Sequence, residues 1–196
     1  MARPCEITRA DIMDIDAYAK VRAERRRAIV EVKKPRRIAV GPFATFYFEC
    51  FDTMLYQVQE MLHVERGGEA QIADELAAYN PLIPKGRELV ATFMIEIEDP
   101  VMRDRELRRL THIENHIVLT IDGEDIAAVS ESEVERTKAD GKTSSIHFLH
   151  FPLTDAQAEK FKQPGCKAML GITHENYNHM AGLPEATRAA LVEDLD

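Results

Sequence analysis

The sequence predicts an α+β fold with a mostly antiparallel sheet. Helical and strand periodicities are mixed along the 196 residues without the regular strand–helix–strand alternation of a parallel α/β protein. Residues 89–98 alternate apolar and polar side chains, which is typical of an antiparallel strand with one wet face. No internal repeat or linker is visible. We therefore expect an N-terminal basic helical arm over residues 1–37 and a single α+β domain over residues 38–196.

Composition narrows the class of protein before any motif is considered. Hydrophobic residues make up 45% of the chain and charged residues 30%, which excludes a wholly disordered chain. The three cysteines, Cys5, Cys50 and Cys166, include no CxxC pair, which argues against a disulfide framework or a zinc ribbon. No signal peptide and no apolar run of membrane-spanning length is found, so we expect a soluble, cytoplasmic protein without membrane contact.

The first predicted helix spans residues 9–34. Thr8 and Asp11 have the spacing of a capping box, and Pro35 disfavours helical geometry in the residue before it. The apolar stripe that should pack this helix consists of Ile12, Ile15, Ala19, Ala23 and Val30.

Charge is distributed unevenly between this arm and the rest of the chain. Residues 1–37 hold 11 Lys and Arg against 6 Asp and Glu, whereas the remainder holds 14 against 28. An acidic body would repel a phosphate backbone, so nucleic-acid binding through the arm is the least favoured interpretation. We expect the arm to pack on the acidic body of its own chain or on a second subunit, which leaves a homo-oligomer open.

A central strand and an αα-hairpin follow the arm. Residues 43–48 are aromatic and β-branched on both faces, which favours a strand covered on both sides. Asp52 can cap a helix over residues 53–66, and a second helix after Gly67-Gly68 stops at Asn80-Pro81.

The remaining elements are short. Residues 130–143 are polar and predict a mobile loop. The other predicted elements are a helix opened by Asp99-Pro100, a hairpin of residues 117–121 and 126–129, strands over residues 145–151 and 166–173, a helix capped by Thr154 and Gln157, and a last short helix over residues 186–195.

Sequence motifs exclude several enzyme classes. The chain has no GxGxxG, Walker A, GxSxG or kinase pattern, so a nucleotide-cradling loop is not indicated.

Glu65 is the first candidate for a binding or catalytic group. It shares a predicted helical face with Leu55 and Val58, and a carboxylate on an apolar stripe must pair, bond or shift its pKa. A buried structural ion pair, or a position at the rim of the apolar stripe, would also explain it. The candidate partners are Arg22, Arg66, Arg87 or a histidine.

His147 is the second candidate. It shares a strand face with Ser145 among apolar residues, which suits an acid–base or ligand-binding group as well as a satisfied core histidine. The candidate ligand-binding residues are Glu60, Glu65, Arg66, Arg87, Ser145 and His147.

A metal site is suggested by one spacing only. Glu60 and His63 have the Glu-x-x-His spacing used in di-iron helix bundles, but such a site needs that motif twice. A transition metal therefore remains a weak expectation, and an exposed polar helix face is the simpler interpretation.

Three segments resemble a known family. They are Gln59-Glu60-Met61-Leu62 with Glu65-Arg66, the run Tyr79-Asn80-Pro81-Leu82-Ile83-Pro84, and Thr143 to Leu149. Together they are similar to the bacterial domain-of-unknown-function family 3501 over nearly the whole chain. The resemblance implies a link to peroxide defence or iron redox chemistry by association, because genes of that family often lie beside those for rubrerythrin and an iron–sulfur oxidoreductase. His63 departs from the basic residue of the family pattern, which weakens the metal hypothesis.

Three functions follow as expectations. The first is an accessory or binding protein of a redox, oxidative-stress or iron-handling system, with rubrerythrin or iron–sulfur oxidoreductase proteins as implied partners. The second is an enzyme that uses Glu60, Glu65 and His147 as acid–base or ligand groups, and the third is nucleic-acid binding. We expect any site to lie where the helix over residues 53–66 crosses the sheet, with Glu65 and His147 among its members.

Overall fold

The computed structural model describes residues 4–131, 137 and 140–196. Within these residues the chain forms six α-helices and nine strands, and every strand pairing is antiparallel, which confirms the predicted α+β class. The helices are α1 Ile15–Lys33, α2 Phe51–Glu65, α3 Glu69–Tyr79, α4 Pro100–Arg109, α5 Asp155–Lys162 and α6 Glu185–Val192. The strands are β1 Arg37–Val40, β2 Ala44–Phe48, β3 Glu88–Ile95, β4 Ile117–Ile121, β5 Glu124–Ala127, β6 Val129–Ser130, β7 Ile146–Pro152, β8 Ala168–His174 and β9 Tyr177–Gly182.

The strands form two sheets rather than one. The five-stranded sheet has the order β1-β2-β3-β7-β6, and the four-stranded sheet has the order β5-β4-β8-β9. Buried side chains of both sheets belong to one hydrophobic core, as Phe93 of β3 and Leu170 of β8 illustrate. Helices α4, α5 and α6 contribute Leu107, Phe161 and Leu191 to the same core.

A second core lies on the other face of the five-stranded sheet. Strand β3 alternates as the sequence predicts: Leu89 and Phe93 enter the core between the sheets, whereas Val90 belongs to the second core. Helices α2 and α3 cover that outer face with Val58, Leu62 and Ile72 and with the partly buried Leu76 and Tyr79. The predicted αα-hairpin therefore packs on the sheet.

The predicted helix over residues 9–34 is wrong at its start. Residues Arg9–Asp11 form a separate 3-10 turn, and α1 begins at Ile15 with Asp14 as its N-cap. The amide of Gln59 holds the intervening backbone, because it accepts from Met13 N at 2.9 Å and donates to Met13 O at 3.2 Å. This tertiary clamp competes with helix formation, and the sequence pattern around Met13 gives no sign of it.

The predicted apolar stripe of α1 is wrong as well. Ala19, Ala23 and Val30 are exposed, whereas the buried residues of this helix are Tyr18 and Ile29. Helix α1 therefore packs through a different face, and it does so on α2 of its own chain.

Helix α2 begins and ends slightly earlier than predicted. Cys50, not Asp52, is its N-cap, because Cys50 N donates to Thr53 Oγ1 at 2.9 Å. Its last residue is Glu65, which is exposed, so the expectation that this carboxylate lies on the core stripe is wrong.

Other local predictions are confirmed. Asp99 caps α4 by accepting from Met102 N at 2.6 Å, and Thr154 caps α5. Asp122 and Gly123 both take positive φ values, 45° and 86°, as the turn of the predicted hairpin requires. Strand β9 was not predicted. The predicted loop at residues 130–143 falls partly outside the described residues.

None of the described helices is both long and apolar enough to cross a bilayer.

Candidate functional site

A cavity of about 450 Å³ lies between the helices and the outer face of the five-stranded sheet. We call it the helix–sheet cavity. It lies beside α2 and over β3, but none of the site residues predicted from the sequence lines it. The residues that line it are Lys33, Arg36, Tyr47, Phe48, Glu49, Met54, Gln57, Tyr79, Leu82, Thr92, Met94, Ile146 and Phe148.

Glu49 is the carboxylate of this cavity. It follows β2 directly and is 7% exposed. Its Oε2 accepts a hydrogen bond from Thr53 Oγ1 and its Oε1 accepts one from Thr92 Oγ1, each at 2.6 Å. In the described part of the chain these two hydroxyls are its side-chain partners, so a buried carboxylate is held by neutral donors and not by a cation.

Arg36 also lines the cavity, but its guanidinium is engaged elsewhere. It forms a two-pronged ion pair with Asp194, at 2.6 Å from Nη1 to Oδ2 and 3.0 Å from Nη2 to Oδ1. The two side chains are 4% and 3% exposed, and Arg36 Nη2 donates a further bond to Ala190 O. Arg36 therefore fastens the end of α6 to the wall of the cavity.

Two further polar groups shape the edge of the cavity. The Tyr47 hydroxyl donates to Glu96 Oε1 at 2.7 Å, and burial together with this carboxylate raises the pKa of Tyr47. The Lys33 ammonium lies 5.8 Å from the ring centroid of Tyr56. Neither contact places a cation on Glu49.

The lining is otherwise suited to an organic molecule. Four aromatic residues, Tyr47, Phe48, Tyr79 and Phe148, line the cavity together with methionine, leucine and isoleucine side chains. Small-molecule sites are typically apolar cavities of this size range with a few polar groups that fix the orientation of the ligand. Glu49 and its two threonines are such groups.

A second, smaller cavity of about 280 Å³ lies between α1 and α2 and includes Met13, Tyr18 and Tyr56 in its lining. We call it the α1–α2 groove. Its amide group, Gln59, is occupied by both backbone atoms of Met13. The groove therefore contains a structural clamp.

Glu65 and His147 are not brought together by the structure. Glu65 is exposed at the end of α2 and accepts from Gln71 Nε2 at 2.8 Å. His147 is 0% exposed and pairs with Phe93 on the opposite face of the five-stranded sheet, towards the core between the sheets. The sheet lies between the two side chains, so they do not share a site.

The surroundings of His147 also differ from the expectation. Its Nε2 donates to the carbonyl of Ser144 at 2.9 Å, and its Nδ1 lies 3.7 Å from Glu114 Oε2. Thr143 Oγ1 lies 3.3 Å from the same Nε2. The ring is held by Ser144 and Thr143, and Ser145 instead accepts a backbone bond from Ile95.

Glu60 is engaged as a structural anchor of α1. Its carboxylate accepts from Arg22 Nε at 2.9 Å and Arg22 Nη2 at 2.8 Å, and from the Tyr18 hydroxyl at 2.6 Å. The Arg22 hydrogen bonds lower the pKa of Glu60 to about 2. His63 packs edge-on against the Tyr18 ring, with centroids 5.8 Å apart.

The described ranges contain no group of three or more His, Cys, Asp or Glu side chains arranged to hold a metal ion. Glu60, the carboxylate of the predicted pair, is already saturated by Arg22 and Tyr18.

Arg66 and Arg87 lie at the surface, away from the helix–sheet cavity. Arg66 is the exposed C-cap of α2 with a positive φ of 54°. Arg87 donates to Asp155 Oδ1 at 2.7 Å and to Asp196 O at 2.8 Å. Neither is the partner of Glu65.

Sequence reasoning missed Glu49. The available signal was an acidic residue directly after the apolar run Phe46–Phe48, with Thr53 four positions later. The other signal was Thr92, a hydroxyl on the outer face of the alternating strand. The chain separation of 43 residues between Glu49 and Thr92 hid their contact.

Comparisons with known proteins agree with the predicted resemblance. The family model described as "Protein of unknown function (DUF3501)" matches residues 6–195. The crystal structure of a novel protein of unknown function from Burkholderia pseudomallei is 37% identical in sequence and superposes with a TM-score of 0.90, covering 97% of this chain and 99% of that chain. No curated protein matches.

Proposed function

We propose that the chain, which belongs to the DUF3501 family of proteins of unknown function, binds a small organic molecule in the helix–sheet cavity. The observation that carries this proposal is Glu49, an acidic residue that is 7% exposed and lines a cavity of about 450 Å³. A buried charge without a charged partner is costly in a purely structural role.

The lining supplies both parts of a binding site. Burial of a ligand's apolar surface against Tyr79, Met94 and Phe148 supplies most of the driving force, since apolar burial is the dominant favourable contribution to association. Glu49, held at both oxygens by Thr53 and Thr92, supplies a fixed polar contact that orients the ligand.

This proposal develops the predicted binding-protein function. A link to peroxide defence or iron handling, with rubrerythrin or an iron–sulfur oxidoreductase as partner, stays a prediction that rests on the family resemblance alone. The enzyme alternative required Glu60, Glu65 and His147 to act in one site. Glu65 and His147 lie on different sides of the sheet, and Glu60 anchors α1, so these three residues do not form that site.

Filling the cavity should abolish binding. Met94 lines it from β3 and is partly buried, so Met94→Trp places an indole in the space that the ligand needs. We expect the wild-type protein to bind apolar fragments in ligand-observed NMR and the variant to bind the same fragments at least about tenfold more weakly.

The matched control is Val101→Trp. Val101 is 77% exposed on α4 and does not line the cavity, so this variant adds the same side chain without filling the space. Thermal unfolding of both variants verifies that they are folded. Unchanged fragment binding by a folded Met94→Trp variant would refute the proposed function.

A further inference from the structure

We propose that the ligand of the helix–sheet cavity is an organic ammonium cation, with its positive charge against Glu49 and its carbon skeleton against the aromatic lining. This inference rests on the proposed function and adds the chemical class of the ligand.

The first argument is the uncompensated charge of Glu49. Its side-chain oxygens accept from the hydroxyls of Thr53 and Thr92, which stabilise the ionised form but leave its charge in place. A buried anion of this kind gains most from a cation that replaces solvent in contact with it. A ligand ammonium group can supply that charge.

Within the described residues, the two cations that line the cavity do not fill this role. Arg36 places both of its terminal nitrogens on Asp194 and reaches only the backbone carbonyl of Glu49, at 3.5 Å. The Lys33 ammonium lies over the ring of Tyr56, which belongs to the α1–α2 groove. No cation of the described part of the chain therefore pairs with the Glu49 carboxylate, and a ligand can supply the positive charge.

The second argument is the aromatic lining. Tyr47, Tyr79 and Phe148 all line the cavity that contains Glu49. Aromatic faces attract ammonium groups, and a set of rings beside a carboxylate is a recurrent arrangement for recognition of alkylated ammonium ions. The Tyr47 ring already makes a contact of this kind, since the Arg37 guanidinium lies 5.6 Å from its centroid.

Three probes of nearly equal shape separate charge from size. Choline carries the cation, 3,3-dimethylbutan-1-ol is its neutral analogue, and 3,3-dimethylbutanoate is an anion of similar bulk. NMR titration of the full chain should give choline an affinity at least about tenfold higher than that of the alcohol, with the butanoate weakest.

Two carboxylate variants test whether choline binding depends on the charge of Glu49. Glu49→Gln keeps the shape and removes the charge, so choline should lose at least about tenfold in affinity while the alcohol is unaffected. Glu124→Gln is the control, because Glu124 lies on β5 of the four-stranded sheet, pairs with Lys160 and does not line the cavity. It should leave choline binding unchanged.

The remaining outcomes overturn either the ammonium assignment alone or the proposed function as well. Equal affinities for choline and the alcohol, preference for the butanoate, or choline binding that survives Glu49→Gln would overturn the ammonium assignment. If apolar fragments occupy the cavity and choline does not, the ammonium assignment fails while the proposed function stands. If neither fragments nor choline enters the cavity, both fail.

Discussion

Replacing Arg36 with alanine is expected to lower the free energy of unfolding by about 3–5 kcal/mol, the usual cost of breaking a buried ion pair by removing one partner. The variant removes the guanidinium from a carboxylate, Asp194, that is 3% exposed, and from the carbonyl of Ala190. Because Arg36 connects the start of β1 to the end of α6, the loss should be global rather than local.

Urea unfolding followed by circular dichroism measures this effect. The control is Arg9→Ala, which breaks an exposed ion pair with Glu69, with side chains 56% and 72% exposed, and should leave the unfolding midpoint almost unchanged. The double variant Arg36→Met/Asp194→Leu removes both charges and should recover most of the stability. An Arg36→Ala midpoint equal to that of Arg9→Ala would show that the buried pair contributes little.

Tyr18→Ala is expected to lower the free energy of unfolding by about 3–5 kcal/mol, as do other truncations of buried aromatic side chains. Tyr18 is 2% exposed, and it is one of only two buried residues in the 19 residues of α1. Its hydroxyl donates to Glu60, so the substitution also removes a hydrogen bond. We expect the amide hydrogens of α1 to exchange much faster in this variant.

Tyr18→Phe separates the ring from the hydroxyl. It keeps the packing and removes the bond to Glu60, at an expected cost of about 1 kcal/mol. If Tyr18→Ala were no less stable than Tyr18→Phe, the ring would not be the anchor of α1.

The correct predictions depend on interactions between residues that are close together in the chain. The caps at Asp99 and Thr154 depend on residues three positions apart, and the faces of β3 depend on strict alternation along one strand. Such signals are complete within a few residues, so the sequence contains them in full.

The errors came from contacts between distant segments. Gln59 hydrogen-bonds both backbone groups of Met13, 46 residues earlier in the chain, and α1 begins only after this contact, at Ile15. Glu65 was assigned to a core stripe by helical periodicity alone. However, α2 makes its last core contact at Leu62, and the final turn extends beyond it. Periodicity gives the phase of a helix but not the length over which a neighbouring element covers it.

In the candidate site, too, local sequence signals and contacts between distant segments have to be distinguished. The sequence analysis expected a site where the helix over residues 53–66 crosses the sheet because of Glu65 and His147, and the structure does not bring these two residues together. The residues that give the site its chemistry, Glu49 and Thr92, meet only after β2 and β3 pair in register. A single sequence contains no signal for that register beyond the apolar alternation of the strands.

Methionine methyl NMR is the most direct test of the central claim that the helix–sheet cavity binds a small molecule. Two of the eight methionines, Met54 and Met94, line this cavity, whereas Met13 lines the α1–α2 groove. Exposed Met169 and Met180, on the four-stranded sheet, serve as internal controls. We predict that choline or a bound fragment shifts the methyl signals of Met54 and Met94 and leaves those of Met13, Met169 and Met180 unchanged. Shifts at Met13, Met169 or Met180 with none at Met54 and Met94 would contradict the claim.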